Sequence, residues 1–267
     1  MEKKIVAGII GLEFGRAHLE GALAYGAEIG LICDCDEKAL KFAGEKYDIP
    51  EEKWTLDYHD IINNPEINAV SIGIPDQLHK QVALEMLEAG KHVLCEKPLA
   101  LTKEDITEMV RAAKKSNCIF MVGQICRFTP AFAKTKELID NGTLGELYFV
   151  ESEYAHDYMN IVSNKQNWRA DNARHGVIGG GCHAVDLLRW IAGDPTEAFA
   201  FANHKMLPGW PITWEGIARA IQMMLRICLL ITGTSLITYT TSPISLTDGL
   251  ERLLNGLKRF RVPVHEL

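Results

Sequence analysis

Short apolar runs alternate with helix-period stretches through roughly the first 120 residues of the chain. Lys4 to Ile10 is nearly continuous apolar and runs into glycine, as a strand buried on both faces should be, and Gly15 to Tyr25 then reads helical. Glu28 to Cys33 is a second such run, followed by Asp36 as a helix cap, a helix over Glu37 to Tyr47, and a stop at Ile49-Pro50. Ala69 to Ile74 supplies a third strand. Asp76 then caps a helix whose Leu78, Val82, Ala83, Met86 and Leu87 share one face, before Gly90 ends it. His92 to Cys95 is a short fourth strand. Thr102 and Asp105 approximate a capping box, and Ile106, Met109, Val110 and Ala113 fall at helical spacing before a fifth strand, Ile119 to Val122. Strands alternating with helices require crossovers, which predict an α/β fold with a doubly wound parallel sheet over residues 1–122.

The rhythm changes after Gly123. A helix from about Pro130 should end at Asn141-Gly142, a longer strand should run Glu146 to Glu153, and a polar loop should reach about Gly181. We place a second domain at 123–267. From Gly216 to Thr247 there is no acidic residue and no lysine, so the composition shifts and the domain reads as atypical after 211.

Composition narrows the function. With 47% hydrophobic and 24% charged residues in 267, the chain can bury a substantial core, which excludes disorder and low-complexity scaffolds. A net charge of -7 gives no broad attraction to nucleic acid or anionic membrane. Seven cysteines show no disulfide framework, and a reducing cytoplasm fits them best. MEKKIVAGIIGL resembles a signal peptide superficially, but Glu13 interrupts it and no small-residue cleavage site follows, so it reads as a first strand. The apolar stretch Ile217 to Ile231 is shorter than the roughly 18 residues of a membrane helix and contains Arg219 and Arg226, so no span is expected.

The first turn carries the candidate chemistry. A dinucleotide loop reads GxGxxG, because bare backbone must approach the diphosphate and present helix amides to it. Here the chain reads GIIGLEFGRAH: Gly11 suits the tight turn, Glu13 stands at the second glycine, and Gly15 falls one residue early for the third. A carboxylate near 4 Å from a phosphate costs about 4 kcal/mol at an effective dielectric of about 20, unless it turns to solvent. Asp34 ends the second strand 23 residues after Gly11, where an acid accepts from a ribose 2′-hydroxyl and repels a 2′-phosphate. This pattern favours NAD over NADP; a plain turn glycine and a solvated strand end would look the same.

AGKHVLCEKPLA, with GIPDQLH before it and the linking GQICRFTPAF and later GGGCHAVDLLRW segments in order, resembles the Gfo/Idh/MocA family of oxidoreductases over roughly residues 1 to 211. The resemblance implies an N-terminal Rossmann domain and a second α/β domain built on a mostly antiparallel sheet, incomplete in this chain. It implies an NAD(P)-dependent dehydrogenase acting on the CH–OH groups of sugars, inositols and related polyols. Lys97 and His183 would be catalytic, with Asp186 beside them. Gly11, Phe14, Gly15, Asp34, Pro75, His79 and Glu96 would lie at the cofactor, and Arg127, Trp168 and Arg169 on the substrate side. Such proteins usually carry an acid four residues before the histidine. That position is Gly179 here, leaving His183 without it unless Asp157 or Asp171 substitutes.

The residues themselves support these placements. Lys97 follows the fourth strand at its carboxyl end, where open sheets bind ligands, and precedes a proline whose bond tolerates cis. Its ammonium would favour an alkoxide as hydride leaves. His183 opens a helix, whose amino end disfavours imidazolium and keeps a base neutral, while Asp186 one turn on would orient the ring or the substrate. Each also has a bland reading, as a surface lysine and a structural histidine. His156, Asp157, His175, His183 and Asp186 have no compact ligand spacing, so no metal is expected, and Cys33-x-Cys35 reads as strand packing. The expected partners are a small sugar or polyol and, through edges left by an incomplete sheet, further copies of the chain. A non-catalytic nucleotide- or sugar-binding module, motivated by Glu13 and Gly179, and an inactive remnant are the alternatives.

Overall fold

The computed structural model describes residues 4–157, 167–170, 174, 176–200 and 221–225. Met1–Phe201 makes one compact unit and Ala202–Leu267 another. The composition shift after Pro211, and the exposed edges expected of it, lie outside the described residues apart from 221–225. So do His175 and Asp171.

In the first unit the alternation of runs becomes β1 (Val6–Ile10), α1 (Gly15–Tyr25), β2 (Glu28–Cys33), α2 (Glu37–Lys46), β3 (Trp54–Thr55), α3 (His59–Asn63), β4 (Ala69–Ile72), α4 (His79–Glu88), β5 (His92–Cys95), α5 (Lys103–Ser116), β6 (Phe120–Val122) and α6 (Pro130–Asp140). The six strands pair in parallel in the order β3-β2-β1-β4-β5-β6. The order reverses direction between β1 and β4, and at that switch point the loops leaving the two strands diverge and open a crevice. β3 and α3 are additions to the sequence reading, because two and five residues are too short to show a period.

Both faces of the sheet are covered, which is why its strands read as continuous apolar runs. Ala7, Ile9, Ile29 and Ile32 pack with Leu19 of α1 and with Leu40 and Ala43 of α2. The opposite face puts Ile10, Val70, Ile72, Val93 and Cys95 against Val82, Ala83, Met86 and Leu87 of α4 and Met109 of α5. Cys33 belongs to that core, and burial pushes its thiol up to about 12. Asp36 and Thr102 cap α2 and α5 as their spacing suggests, accepting from the Lys38 and Asp105 amides at 2.9 and 3.1 Å. Gly90 ends α4 with φ of +74°.

Two expectations need correction. Asp76 caps no helix: α4 begins only after a turn of 3-10 helix, and the Asp76 carboxylate is buried against the Arg174 guanidinium. An ionised acid in the interior takes a full counter-charge in preference to a single amide. The segment from Glu146 to Glu153 is not a strand; Phe149 is 74% exposed. A strand exists only by pairing, and among the described residues nothing pairs with this segment, so the mostly antiparallel sheet is not seen there.

One buried charge pins the end of the sheet remote from the crevice. The Lys91 amine donates to the carbonyls of Asn64 at 2.8 Å and Ile67 at 2.9 Å, and burial lowers its pKa. Lys91→Met strands both carbonyls and should destabilise the fold by about 3 kcal/mol, read as a lower midpoint in urea at unchanged slope.

Candidate functional site

The site begins where β1 ends. Gly11 has φ of +84°, and its amide donates to the Cys33 carbonyl at 2.8 Å. A side chain is excluded there twice over: the backbone lies in the left-handed region, and a Cβ would stand 2.7 Å from the Gly73 carbonyl carbon. The Gly73 amide donates to Ile10 O at 2.8 Å, and a Cβ on Gly73 would meet the Gly15 nitrogen at 2.8 Å. These close backbone contacts make a bare floor at the amino end of α1, of the kind that suits a diphosphate.

Asp34 holds this floor to β2. One carboxylate oxygen accepts from the Leu12 amide at 2.6 Å and the other from the Asp36 amide at 2.9 Å. Each keeps lone-pair capacity for a hydroxyl. Glu13 is exposed, in the high dielectric that weakens its repulsion for a phosphate. Phe14, also exposed, lies under the Arg169 guanidinium at 4.7 Å, and that group stands 4.2 Å from the Trp168 ring. Gln77 ties the Trp168 carbonyl to the loop after Pro75 at 3.4 Å. The Trp168-Arg169 pair therefore lies beside Phe14 of the glycine loop, with the guanidinium over both aromatic rings.

At the end of β5, Glu96 and Lys97 enter the crevice, and the Lys97-Pro98 bond is cis. Lys97 Nζ donates to the Gly179 carbonyl at 3.3 Å. Glu96 is half-buried; burial alone would raise its pKa, but hydrogen bonds from His18 and the Lys97 amide outweigh that and hold it below the usual carboxylate range. His79 is fully buried, with Nδ1 and Nε2 each 2.9 Å from a carbonyl, of Pro98 and Ile74 respectively. Both ring nitrogens are committed to backbone, so it joins two loops beneath the crevice.

His183 is buried with Nδ1 unpartnered, and its pKa is lowered by burial first and by the Lys97 charge second, with Glu96 and Asp186 opposing. Burial thus supplies the neutrality expected from the helix end. Asp186 does not orient the ring. It accepts from Arg127 Nε at 2.7 Å and Nη2 at 2.6 Å, because the planar guanidinium matches both carboxylate oxygens. Arg127 in turn stands 5.7 Å from the Trp190 ring. The Tyr154 ring lies 5.8 Å from that of His183. Asp157 makes no hydrogen bond to Nδ1.

The space a side chain at 179 would occupy is filled. A Cβ on Gly179 would press into the Arg174 guanidinium, which pairs with Asp76 and donates to the Gly179 carbonyl at 3.2 Å. Sequence reasoning missed Arg174, His18, Ser71 and Tyr154. His18 had a faint signal, since it lies next to the buried Leu19 on the helix that opens over the glycine loop; the others had none. Among the described residues no group of three His, Cys, Asp or Glu side chains is placed to hold a metal, and no helix is long and apolar enough to cross a membrane.

A profile of the oxidoreductase family with an NAD-binding Rossmann fold matches residues 5–124, and the C-terminal domain of the same Gfo/Idh/MocA group matches 132–239. The chain belongs to the Gfo/Idh/MocA family. It is similar to the levoglucosan dehydrogenase of Pseudarthrobacter phenanthrenivorans, 36% identical over 54% of this chain and 37% of that protein. It is also similar to the myo-inositol 2-dehydrogenase of Thermotoga maritima, 35% identical over 82% of this chain and 64% of that protein. Among solved structures, a levoglucosan dehydrogenase in complex with NADH superposes with a TM-score of 0.65 at 30% identity, covering 72% of this chain and 55% of that one. A myo-inositol 2-dehydrogenase from Lactobacillus plantarum gives 0.64 at 26% identity, covering 71% and 56%. The chain thus spans little more than half the length of these solved relatives.

Glu96 links the site to acid stability. Its folded pKa lies below the unfolded value near 4.5, so its contribution is complete above that value and is lost as pH falls through the folded pKa. Glu96→Gln should flatten the acid limb of stability below about pH 4.5, measured by denaturant titration at successive pH values, and leave the neutral-to-alkaline limb unchanged.

Proposed function

We propose that the chain transfers a hydride between NAD and a sugar or polyol, interconverting a hydroxyl and its carbonyl. One observation carries this: a buried, neutral imidazole with an unpartnered nitrogen lies within the field of the Lys97 ammonium, at the carboxyl end of a dinucleotide-type sheet. The residues present fit the cofactor, since the Gly11 floor admits no side chain and the amides of α1 open onto it. Gly11, Gly15 and Asp34 would hold NAD, with Phe14 and Arg169 at its edge and Pro75 in the opposite loop. Bound NAD supplies a nicotinamide that accepts hydride from a carbinol carbon.

The protein's part is proton handling. In the oxidative direction His183 takes the hydroxyl proton, as a neutral imidazole can, while Lys97 stabilises the developing alkoxide. Arg127 is neutralised by Asp186 and serves as a fixed wall of the substrate space. The relatives named above as inositol and levoglucosan dehydrogenases support a polyhydroxylated ring as substrate. Asp34 supports NAD over NADP, because its carboxylate would face a 2′-phosphate with like charge.

A second reading, nucleotide binding without turnover, is favoured by the Arg174 guanidinium filling the place of an acidic side chain at 179. Fluorescence titration with NADH, followed by a polyol screen, separates the two. Binding with turnover is the expected result; binding alone supports the second reading, and no binding defeats both. NADPH should bind at least about tenfold more weakly, the equivalent of about 1.4 kcal/mol of like-charge repulsion. Lys97→Ala should lower kcat by about a hundredfold or more while NADH affinity changes less than about threefold. The acid limb of the oxidative pH-rate profile should fall below 6.5, since the His183 base stays neutral to lower pH than an ordinary histidine.

A further inference from the structure

Three elements send a polar side chain to one point beneath the crevice. His18 comes from α1, Ser71 from the face of β4 that α1 covers, and Glu96 from the end of β5. His18 Nε2 lies 2.9 Å from Glu96 Oε1, its Nδ1 faces the Ser71 hydroxyl, and Glu96 Oε2 accepts from the Lys97 amide at 3.0 Å. Side-chain exposure is 11% for His18 and 16% for Glu96, so neither group is free to rearrange into solvent.

We propose that His18 is a positioning residue for Lys97, acting through Glu96. It rests on the dehydrogenase reading for what Lys97 then does. A neutral imidazole has one donor and one acceptor. With Nε2–H donating to the carboxylate, Nδ1 accepts the Ser71 proton, and the chain of hydrogen bonds runs in one sense from Ser71 to Glu96. Both carboxylate oxygens are engaged, one by the His18 imidazole and the other by the Lys97 amide. Its second oxygen therefore fixes where the Lys97 backbone begins. Beyond Lys97 the Pro98 carbonyl is held by buried His79 at 2.9 Å. Two histidines thus clamp the short segment that carries the amine, one through a side chain before it and one through a carbonyl after it. The low pKa of Glu96 agrees with this, since an ionised acceptor makes the stronger hydrogen bonds.

The test uses the full chain with its lysines reductively methylated with carbon-13, the Lys97 resonance being assigned with Lys97→Arg. His18→Asn places an amide where Nδ1 stood and abandons Glu96; His18→Gln places one where Nε2 stood and keeps it. The expected result is a displaced Lys97 resonance in His18→Asn and a native one in His18→Gln, with NADH affinity within about threefold throughout and kcat down about tenfold to a hundredfold in His18→Asn alone. A Lys97 resonance that stays put in His18→Asn, or moves equally in both variants, overturns the proposal, as does an unchanged kcat. Should His18→Asn fail to fold, Glu96→Gln weakens the same hydrogen bond isosterically, and the same two outcomes decide. A native chain that binds no NADH defeats the dehydrogenase reading, while the Lys97 resonance still decides the role of His18.

Discussion

Strands β1 and β4 run side by side until Gly11 and Gly73, where two backbones meet with no space for a methyl group between them. That contact sets the geometry of everything above it. Because Gly11 turns with a positive φ, the chain clears the end of the sheet and enters α1 within a few residues, so the amino end of the helix faces the crevice. Because Gly73 packs on Gly15, the loop leaving β4 is held against that helix, and Pro75 and Asp76 are delivered to the opposite lip. A side chain at Gly11 or Gly73 would push the lips apart or fill the floor. The close packing of backbone is therefore both a folding constraint and the reason the crevice can take a flat, charged ligand.

Among the described residues the buried charges follow one rule: each has a counterpart. Glu96 is held by an imidazole and an amide, Asp76 by the Arg174 guanidinium, and Lys91, at the far end of the sheet, by two carbonyls. Pairs of this kind contribute little net stability, since desolvation offsets most of the attraction, but each is expensive to break and tolerates one geometry. Asp76 and Arg174 are 98 residues apart in sequence, with side chains 3% and 4% exposed, so their pairing fastens a late segment to the loop after β4. Arg127 and Asp186 do the same between the end of the parallel sheet and the helix Cys182–Ala192. The His183 side of the site is thus tied to the Lys97 side by ion pairs at two places.

What could be read from sequence was whatever is local. The order of strands and helices, the caps at Asp36 and Thr102 and the turn at Gly11 all follow from periods and residue types within a few positions of each other. Lys97 and His183 were legible because the segments around them resemble a family. Contacts made across the chain were not. Nothing in GRAHLE says that His18 will find a carboxylate 78 residues later, and nothing beside Asp76 says that its partner is an arginine rather than a helix amide. For the same reason the spacing of Asp186 offers the His183 ring or a substrate as its partner, and gives no sign of the Arg127 guanidinium whose two donors match the carboxylate. The strand expected at Glu146 to Glu153 failed for the complementary reason: its pattern is a strand pattern, but a strand is a relation between two segments.

On the proposed reading, Gly179 changes what the histidine would do unaided. An acid at that place would hold one imidazole nitrogen as an N–H donor and raise the basicity of the other. Here a guanidinium already satisfied by Asp76 stands instead, and Nδ1 has no partner. Burial and the Lys97 charge both lower the pKa of the ring. A base of lower pKa is charged less often but accepts a proton less avidly, so the advantage of being neutral is partly offset by weaker pull on the hydroxyl. Because Nδ1 is buried, an occupant of the site would select the tautomer through Nε2. On the proposed reading, the orientation that a fixed carboxylate would provide in advance is left to the occupant, which would make the proton step sensitive to the exact placement of substrate hydroxyls and to the placement of Lys97 opposite them.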